Sequence, residues 1–308
     1  MASALLPYEN LACLSDNTIG MISRRIVKLY RLRWRIGLVL LSPLLVYALY
    51  LSWNQMQIAF GVGPAFPLYS IPPAHHDDTI RVAVIGDSWA EYHATLECDT
   101  IFQKVAKRLT KNPVLCFSRG HSAKMTKEIY QDMFSERTVE HAWEKDFCTQ
   151  PLLERHPDYC VVMAGINDLR KQRPPSYYTG NYQLILQVLL KNGIRPVVME
   201  IPEVDIPTVI SNRAFYEQWA SRLLSYITGS GWGDVSNYRK AMHEMLNQTG
   251  LIDSVLFIPV SHWNSGGVFS RPDLYIDDRL HLNMDGYHVI DSCMATDIMN
   301  DYKRRLKK

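Results

Sequence analysis

The hydrophobic positions of this chain fall into two regimes. From Ile36 to Trp53 they run without a charge and without the polar residue every third or fourth position that a core helix shows. Beyond residue 80, short apolar runs alternate with amphipathic stretches. The short runs, Arg81–Ile85, Val114–Phe117, Tyr159–Ala164, Pro196–Ile201 and Val255–Val260, are rich in Val and Ile and read as strands buried on both faces. Ile101–Leu109, Thr126–Phe134, Tyr182–Lys191, Ala214–Thr228, Tyr238–Asn247 and Gly286–Leu306 carry helical periodicity. Such β-α alternation predicts a parallel sheet of about five strands with helices on both faces.

The uncharged segment is preceded by Arg24, Arg25, Lys28, Arg31, Arg33 and Arg35, and contains Tyr47, Tyr50 and Trp53 toward its end. About 18 to 20 apolar residues, rising about 1.5 Å each, cross a hydrocarbon core. No Lys or Arg follows between Asn54 and Ile80, so the charge asymmetry predicts a cytoplasmic N-terminus and an extracytoplasmic remainder. Ser52-Trp53-Asn54-Gln55 offers no small-x-small cleavage site, which favours an uncleaved signal anchor over a removed signal peptide. Gly61, Gly63, Pro64, Pro67, Pro72 and Pro73 mark an extended linker. The expected organisation is a basic tail over 1–35, a transmembrane anchor over 36–53, a linker over 54–79 and a globular domain over 80–308.

Composition narrows the class. At 308 residues the chain can bury one core of roughly 200 to 250 residues and still carry an appendage. A net charge of +2 without a basic stripe in the domain argues against a nucleic-acid partner. Of six cysteines, Cys13 falls in the tail and Cys98, Cys116, Cys148, Cys160 and Cys293 lie beyond the span. Cys116 and Cys160 sit inside strand runs and read as buried hydrophobes, while a Cys98–Cys148 bridge in an oxidising compartment stays open. No Cys-x-x-Cys or His-Cys spacing indicates a metal, and His75-His76-Asp77-Asp78 reads as a solvated linker end. Neither metal nor cofactor is expected.

Candidate chemistry collects at the ends of the strand runs. Val82-Ala83-Val84-Ile85 stops at Gly86-Asp87-Ser88-Trp89, and ligands of open α/β sheets gather beyond the carboxyl ends of strands. Three further blocks follow: Ser118-Arg119-Gly120-His121-Ser122, Gly165-Ile166-Asn167-Asp168 and Asp278-Arg279-Leu280-His281. Acyl transfer needs a nucleophile, a base, a group that orients the base, and donors for the developing oxyanion. On this reading Ser88 is the nucleophile, His281 the base and Asp278, three residues earlier, its orienter. The oxyanion donors are the backbone N–H groups of Ser88 and Gly120 and the side-chain amide of Asn167. Glycine at 120 would let the backbone approach the substrate without a Cβ in the way. Asp87 and Asp168 read as hydrogen-bond anchors of their loops, and Asp277 as an alternative orienter. His121, His262 and His288 read as surface or core residues. Trp89, Tyr177, Tyr178 and Trp263 fall in expected loops, with Trp89 and Trp263 candidates for substrate contact.

The four blocks resemble those of the SGNH/GDSL hydrolases, named for a serine, glycine, asparagine and histidine that Ser88, Gly120, Asn167 and His281 match in order. Asp278 matches the family's acid. The resemblance spans roughly residues 80–305 and implies a flavodoxin-like three-layer α/β/α sandwich and metal-free serine esterase chemistry. Trp89 replaces the leucine of the first block, and the second block lacks the asparagine usual near its start.

The expected function is a membrane-anchored, extracytoplasmic serine esterase. It would remove O-acyl groups, chiefly O-acetyl, from a cell-envelope or exported carbohydrate through an acyl-enzyme on Ser88. The same motifs fit an acyltransferase to a glycan hydroxyl and a lipase or lysophospholipase. The Asp278/His281 pair argues against a glycan-binding protein without turnover. The expected partners are the acylated substrate and the membrane.

Overall fold

The computed structural model describes residues 77–134 and 148–307, together with residues 28, 32–37, 39, 41–43 and 45–49. The N-terminal unit contributes one helix, α1, whose Leu32–Leu49 window has a mean hydropathy of 1.5 and is long and apolar enough to cross a membrane. Residues 38, 40, 44 and 50–53 of the expected span lie outside the described residues, as do residues 54–76 of the linker, His75 and His76 included. The described linker end is tied to the strand that follows it: Asp77 pairs with Arg81 at 2.6 Å.

In the second unit the elements run β1 (Ile80–Gly86), α2 (Ser88–Thr95), α3 (Cys98–Ala106), β2 (Val114–Gly120), α4 (Thr126–Asp132), α5 (Gln150–Leu153), β3 (Tyr159–Met163), α6 (Ile166–Arg170), α7 (Pro175–Lys191) and β4 (Arg195–Met199). They continue through α8 (Ile206–Ser211), α9 (Phe215–Thr228), α10 (Val235–Gln248), β5 (Leu256–Ile258), α11 (Gly267–Ser270) and α12 (Met284–Arg305). The five strands form one parallel sheet in the order β2-β1-β3-β4-β5. Every residue of β3 is buried, as its continuous apolar run requires of a strand covered on both faces. α3 packs against α12, and α7 against α4 and α10. From β1 the chain steps outward to β2 and then returns to β3 on the other side, so a crevice opens at the carboxyl ends of β1 and β3.

Three sequence expectations change here. α7 begins at Pro175, whose fixed φ suits a first helical turn, so Tyr177 and Tyr178 belong to a helix and to the core rather than to a loop. α9 is amphipathic as its periodicity predicts, but it faces the other way. Ser225 and Thr228 point inward, while Phe215, Tyr216, Trp219, Leu223, Tyr226 and Ile227 are exposed. Cys98 is a buried free thiol, so the Cys98–Cys148 bridge is not formed. Cys116 and Cys160 are buried as expected, Cys160 among apolar neighbours and Cys116 with its thiol 3.3 Å from Asp99 Oδ1.

Candidate active site

The sheet ends where the chemistry begins. At Gly86, φ is 156°, and a Cβ would stand 1.9 Å from Met163 O, so only glycine lets β1 turn this close to β3. Asp87 then caps α2, its side chain accepting from the Trp89 N–H at 3.1 Å. Ser88 is thereby the first residue of α2, at 7% exposure. Its Oγ lies 2.8 Å from His281 Nε2, and His281 Nδ1 lies 2.5 Å from Asp278 Oδ2.

Asp278 rather than Asp277 makes this contact, and its loop explains why. Asp278 Oδ1 accepts from the N–H groups of Leu280 and His281, each at 2.9 Å, which pins the carboxylate and leaves Oδ2 for the imidazole. A Tyr275–Leu282 bridge and an Ile276 N–H to His281 O bond of 2.9 Å close the loop. Arg279 sits at φ 55° inside it, held by an ion pair to Asp205 at 2.9 Å. Burial works to raise the Asp278 carboxyl, but the His281 and Leu280 donors outweigh it and hold it below its ordinary value.

Asn167 is the second residue of α6 and is buried. Its Nδ2 donates to Asp87 Oδ2 at 3.4 Å and its Oδ1 accepts from Arg170 Nη1 at 3.4 Å. One amide hydrogen is left for a ligand. Burial pushes the Asp87 carboxyl up to about 7, and the Asp168 charge adds to this against hydrogen bonds from Trp89 and Asn167. Burial likewise pushes Asp168 up to about 7. Its carboxylate accepts from Thr126 N–H at 3.0 Å and Thr126 Oγ1 at 2.7 Å, tying α6 to α4. Both aspartates anchor their loops.

Gly120 closes β2 opposite Gly86, and the His121 N–H donates to Gly86 O at 3.0 Å. The reason for glycine differs from the one the sequence suggests. A Cβ here would stand 2.1 Å from Glu91 N and 2.4 Å from Asp87 O, so the residue is small because β2 packs against the first turn of α2.

Trp89 and Trp263 are buried, not loop-exposed, with ring centroids 6.1 Å apart edge-on. Trp89 Nε1 donates to Leu280 O at 3.2 Å, bracing the Asp278–His281 loop against α2. Trp263 Nε1 is buried with no hydrogen-bond partner among the described residues. Both rings line a cavity of about 20 Å³ together with Met163, Ala164, Ile166 and Ile201. Tyr92, one helical turn beyond Ser88, places its ring 4.9 Å from the His281 ring.

His93 forms a second network under the first. Its Nε2 lies 2.7 Å from Asp291 Oδ1, and its Nδ1 lies 2.7 Å from Ser118 Oγ and 3.3 Å from Asp99 Oδ1. The network joins α2 to α3, β2 and α12. Burial alone would push the imidazole down, but Asp291 and Asp99 outweigh it and raise it to about 9. The folded state thus holds a proton that the unfolded chain, at 6.5, releases sooner. This contribution is fully present below pH 6.5 and is lost as pH rises through 9, a change on the order of 3 kcal/mol. Asp87 and Asp168 act in the same sense between pH 3.8 and 7. Thermal unfolding followed from pH 5 to 9 should show a falling midpoint, with the alkaline part flattened in His93→Gln. A midpoint that stays level or rises above pH 6.5 would contradict this assignment.

The fold also gathers His262, Cys293 and Asp297, whose ligand atoms lie within 4.8 Å of one another among the described residues. Spacing along the chain hid this group because His262 comes from a different element than the α12 pair. His262 Nδ1 already bonds Asp297 Oδ2 at 2.8 Å.

A strand-end serine, a histidine and an aspartate in hydrogen-bonded sequence meet a direct comparison. The model of the GDSL-like Lipase/Acylhydrolase family matches residues 84–289. The chain belongs to that family. As a GDSL-like acylhydrolase it is an ester-hydrolysing enzyme, and its five-stranded parallel α/β domain is the framework for that activity. Solved structures similar to this GDSL hydrolase include the psychrotrophic esterase EstA from Pseudoalteromonas sp., at 14% identity and TM-score 0.48, covering 75% of this chain and 100% of that one. A GDSL-like lipase from Bacteroides thetaiotaomicron is 12% identical at TM-score 0.45, covering 72% and 88%. A catalytic mutant of an acetylxylan esterase from Geobacillus stearothermophilus is 14% identical at TM-score 0.43, covering 71% and 94%. No curated protein sequence matches the chain significantly.

Proposed function

We propose that Ser88 is the nucleophile of a serine esterase that removes short O-acyl groups, acetyl above all, from a carbohydrate outside the membrane. The observation that carries this is the relay from Ser88 Oγ to His281 Nε2 at 2.8 Å and from His281 Nδ1 to Asp278 Oδ2 at 2.5 Å. A neutral imidazole with its proton directed at Asp278 presents an accepting Nε2 to Ser88. His281 removes the Ser88 proton as Oγ attacks the acyl carbon, and Asp278 stabilises the imidazolium that results. The Ser88 and Gly120 N–H groups and the remaining Asn167 amide hydrogen receive the oxyanion. His281 returns its proton to the departing alcohol, leaving an acyl-Ser88. Water attacks next with His281 again as base, which releases the carboxylic acid and restores Ser88.

The cavity lined by Asp87 and Trp89, the two neighbours of Ser88 in sequence, is too small for a lipid chain. The exposed rings of Phe215, Tyr216, Trp219 and Tyr226 on α9 offer faces on which sugars can stack. In this reading α1 is an uncleaved signal anchor behind a cytoplasmic tail over 1–35, and the 54–79 linker carries the 80–308 domain outside. A series of 4-nitrophenyl esters from acetate to octanoate should show kcat/KM falling steeply with chain length, together with acetate release from an O-acetylated glycan. A rate that climbs with chain length would support a lipid-active enzyme and overturn the short-acyl assignment. Asp278→Asn should lower kcat by about 10³- to 10⁴-fold with little change in KM, because the imidazole loses its orienting acceptor. Steady-state kinetics on 4-nitrophenyl acetate reads this directly, and a loss below about tenfold would remove Asp278 from the role.

A further inference from the structure

We propose that His262, Cys293 and Asp297 bind a zinc ion that clamps the connection after β5 to α12. Water completes the coordination.

The three residues come from two stretches of chain that only the fold brings together. Cys293 and Asp297 stand four residues apart on α12, so their side chains leave the same face of the helix. His262 ends a short 3-10 turn, Val260–His262, which Pro259 joins to β5 and which its own N–H closes onto Pro259 O at 3.0 Å. β5 packs against α12, and that packing carries the turn to the Cys293–Asp297 face. The ligand atoms of the three then lie within 4.8 Å of one another. His262 Nδ1 is 2.8 Å from Asp297 Oδ2, and Cys293 Sγ is 3.8 Å from the same oxygen. Ligands of a tetrahedral zinc, at bond lengths of about 2.0 to 2.3 Å, stand about 3.3 to 3.6 Å apart, so these two separations bracket what the ion requires. Side-chain rotation closes the remaining difference.

The group is free to take a cation. Among the described residues the three side chains bond only one another, so an entering ion breaks no hydrogen bond to the rest of the fold. Cys293 is a free thiol. The His262 side chain is 49% exposed while that of Asp297 is part-buried, which gives an ion a path from solvent and a protein wall to rest against.

The donor set selects the metal. Calcium and magnesium take shells of oxygen and gain little from sulfur or imidazole. Zinc accepts thiolate, imidazole and carboxylate together, and a three-residue site leaves its fourth position to water. On binding, neutral His262 carries its proton on Nε2 and frees the Nδ1 lone pair, Cys293 releases its proton to solvent, and Asp297 contributes Oδ2. Trp263 follows His262 directly, and its ring meets Trp89 edge-on at a centroid distance of 6.1 Å. Among the described residues none of the three ligands hydrogen-bonds Ser88, His281 or Asp278, so the ion steadies the tryptophan pair rather than acting on an ester.

The test titrates Co²⁺ and then Zn²⁺ into the full-length protein in detergent after treatment with a chelator. We expect one equivalent of Co²⁺ to produce a thiolate-to-cobalt charge-transfer band in the near ultraviolet, and Zn²⁺ to bleach it by taking the site. Cys293→Ser should abolish the band. His262→Ala should weaken Co²⁺ binding at least about 100-fold, since even a residue that only orients a metal ligand contributes about 10- to 100-fold. Its side chain is half exposed, so this variant decides the matter if Cys293→Ser fails to fold. Zn²⁺ should also slow amide hydrogen exchange in the peptide spanning residues 260–264 of the wild type and leave that of His262→Ala unchanged. No band at one equivalent, a band that survives in Cys293→Ser, or binding that His262→Ala leaves intact overturns the site. Exchange that Zn²⁺ does not slow in the wild type overturns the clamp.

Discussion

Replacing Ser88 with alanine lowers kcat for 4-nitrophenyl acetate by about 10⁴-fold or more, with little change in the thermal midpoint. Among the described residues the Ser88 hydroxyl makes one side-chain hydrogen bond, to a histidine that remains held by Asp278, so its removal costs the fold little. It costs the reaction its nucleophile. What survives is the stabilisation offered by the oxyanion donors and by binding, which in serine hydrolases still exceeds the uncatalysed rate. Because Ser88, His281 and Asp278 act as a unit, Ser88→Ala/His281→Ala should be scarcely slower than Ser88→Ala alone. A single variant within tenfold of the wild type, or double-variant losses that multiply, would show that the three do not act together.

The second large effect concerns stability. Gly120→Ala places a methyl group 2.1 Å from Glu91 N and 2.4 Å from Asp87 O, both in the turn that presents Ser88. Backbone atoms on both sides cannot yield as the tip of a flexible side chain would. The variant should lose about 3 kcal/mol or more of folding stability in addition to activity. If Gly120 were small only to admit substrate, denaturant unfolding would match the wild type while KM rose. Urea titration of the two proteins separates the explanations, and an unchanged midpoint would contradict the packing account.

The architecture was readable because strands buried on both faces have little choice of composition. β1 and β3 declare themselves as Val-rich runs, and β1 stops where Gly86 permits a turn that no other residue tolerates. The Asp278/His281 pairing was also readable, since three residues of chain suffice to bring the two side chains together. Other features depend on distances that spacing does not encode. The aromatic face of α9 has the same periodicity whether it points in or out, and the inward placement of Ser225 and Thr228 comes from its neighbours. Tyr177 and Tyr178 lie in a helix rather than the expected loop because Pro175, whose fixed φ suits a first turn, opens α7 well before the periodic stretch from Tyr182.

His93 shows how a second serine can resemble a first. Ser118 lies 2.7 Å from His93 Nδ1, and His93 lies 2.7 Å from Asp291. In this network the imidazole is flanked by two carboxylates and retains its proton to about pH 9, so it cannot accept one from Ser118 near neutrality. The two clusters therefore differ in protonation rather than in residue type. The His93 network ties the helix that presents Ser88 to the helix that follows the His281 loop.

That difference makes covalent labelling the most direct test. The full-length protein is treated with diethyl 4-nitrophenyl phosphate at pH 7.5, and the adduct is mapped by peptide mass spectrometry as activity is lost. A phosphoryl group on Ser88, accumulating in step with inactivation and absent from Ser88→Ala, is the predicted result. Labelling of Ser118, or inactivation that leaves Ser88 unmodified, would contradict it.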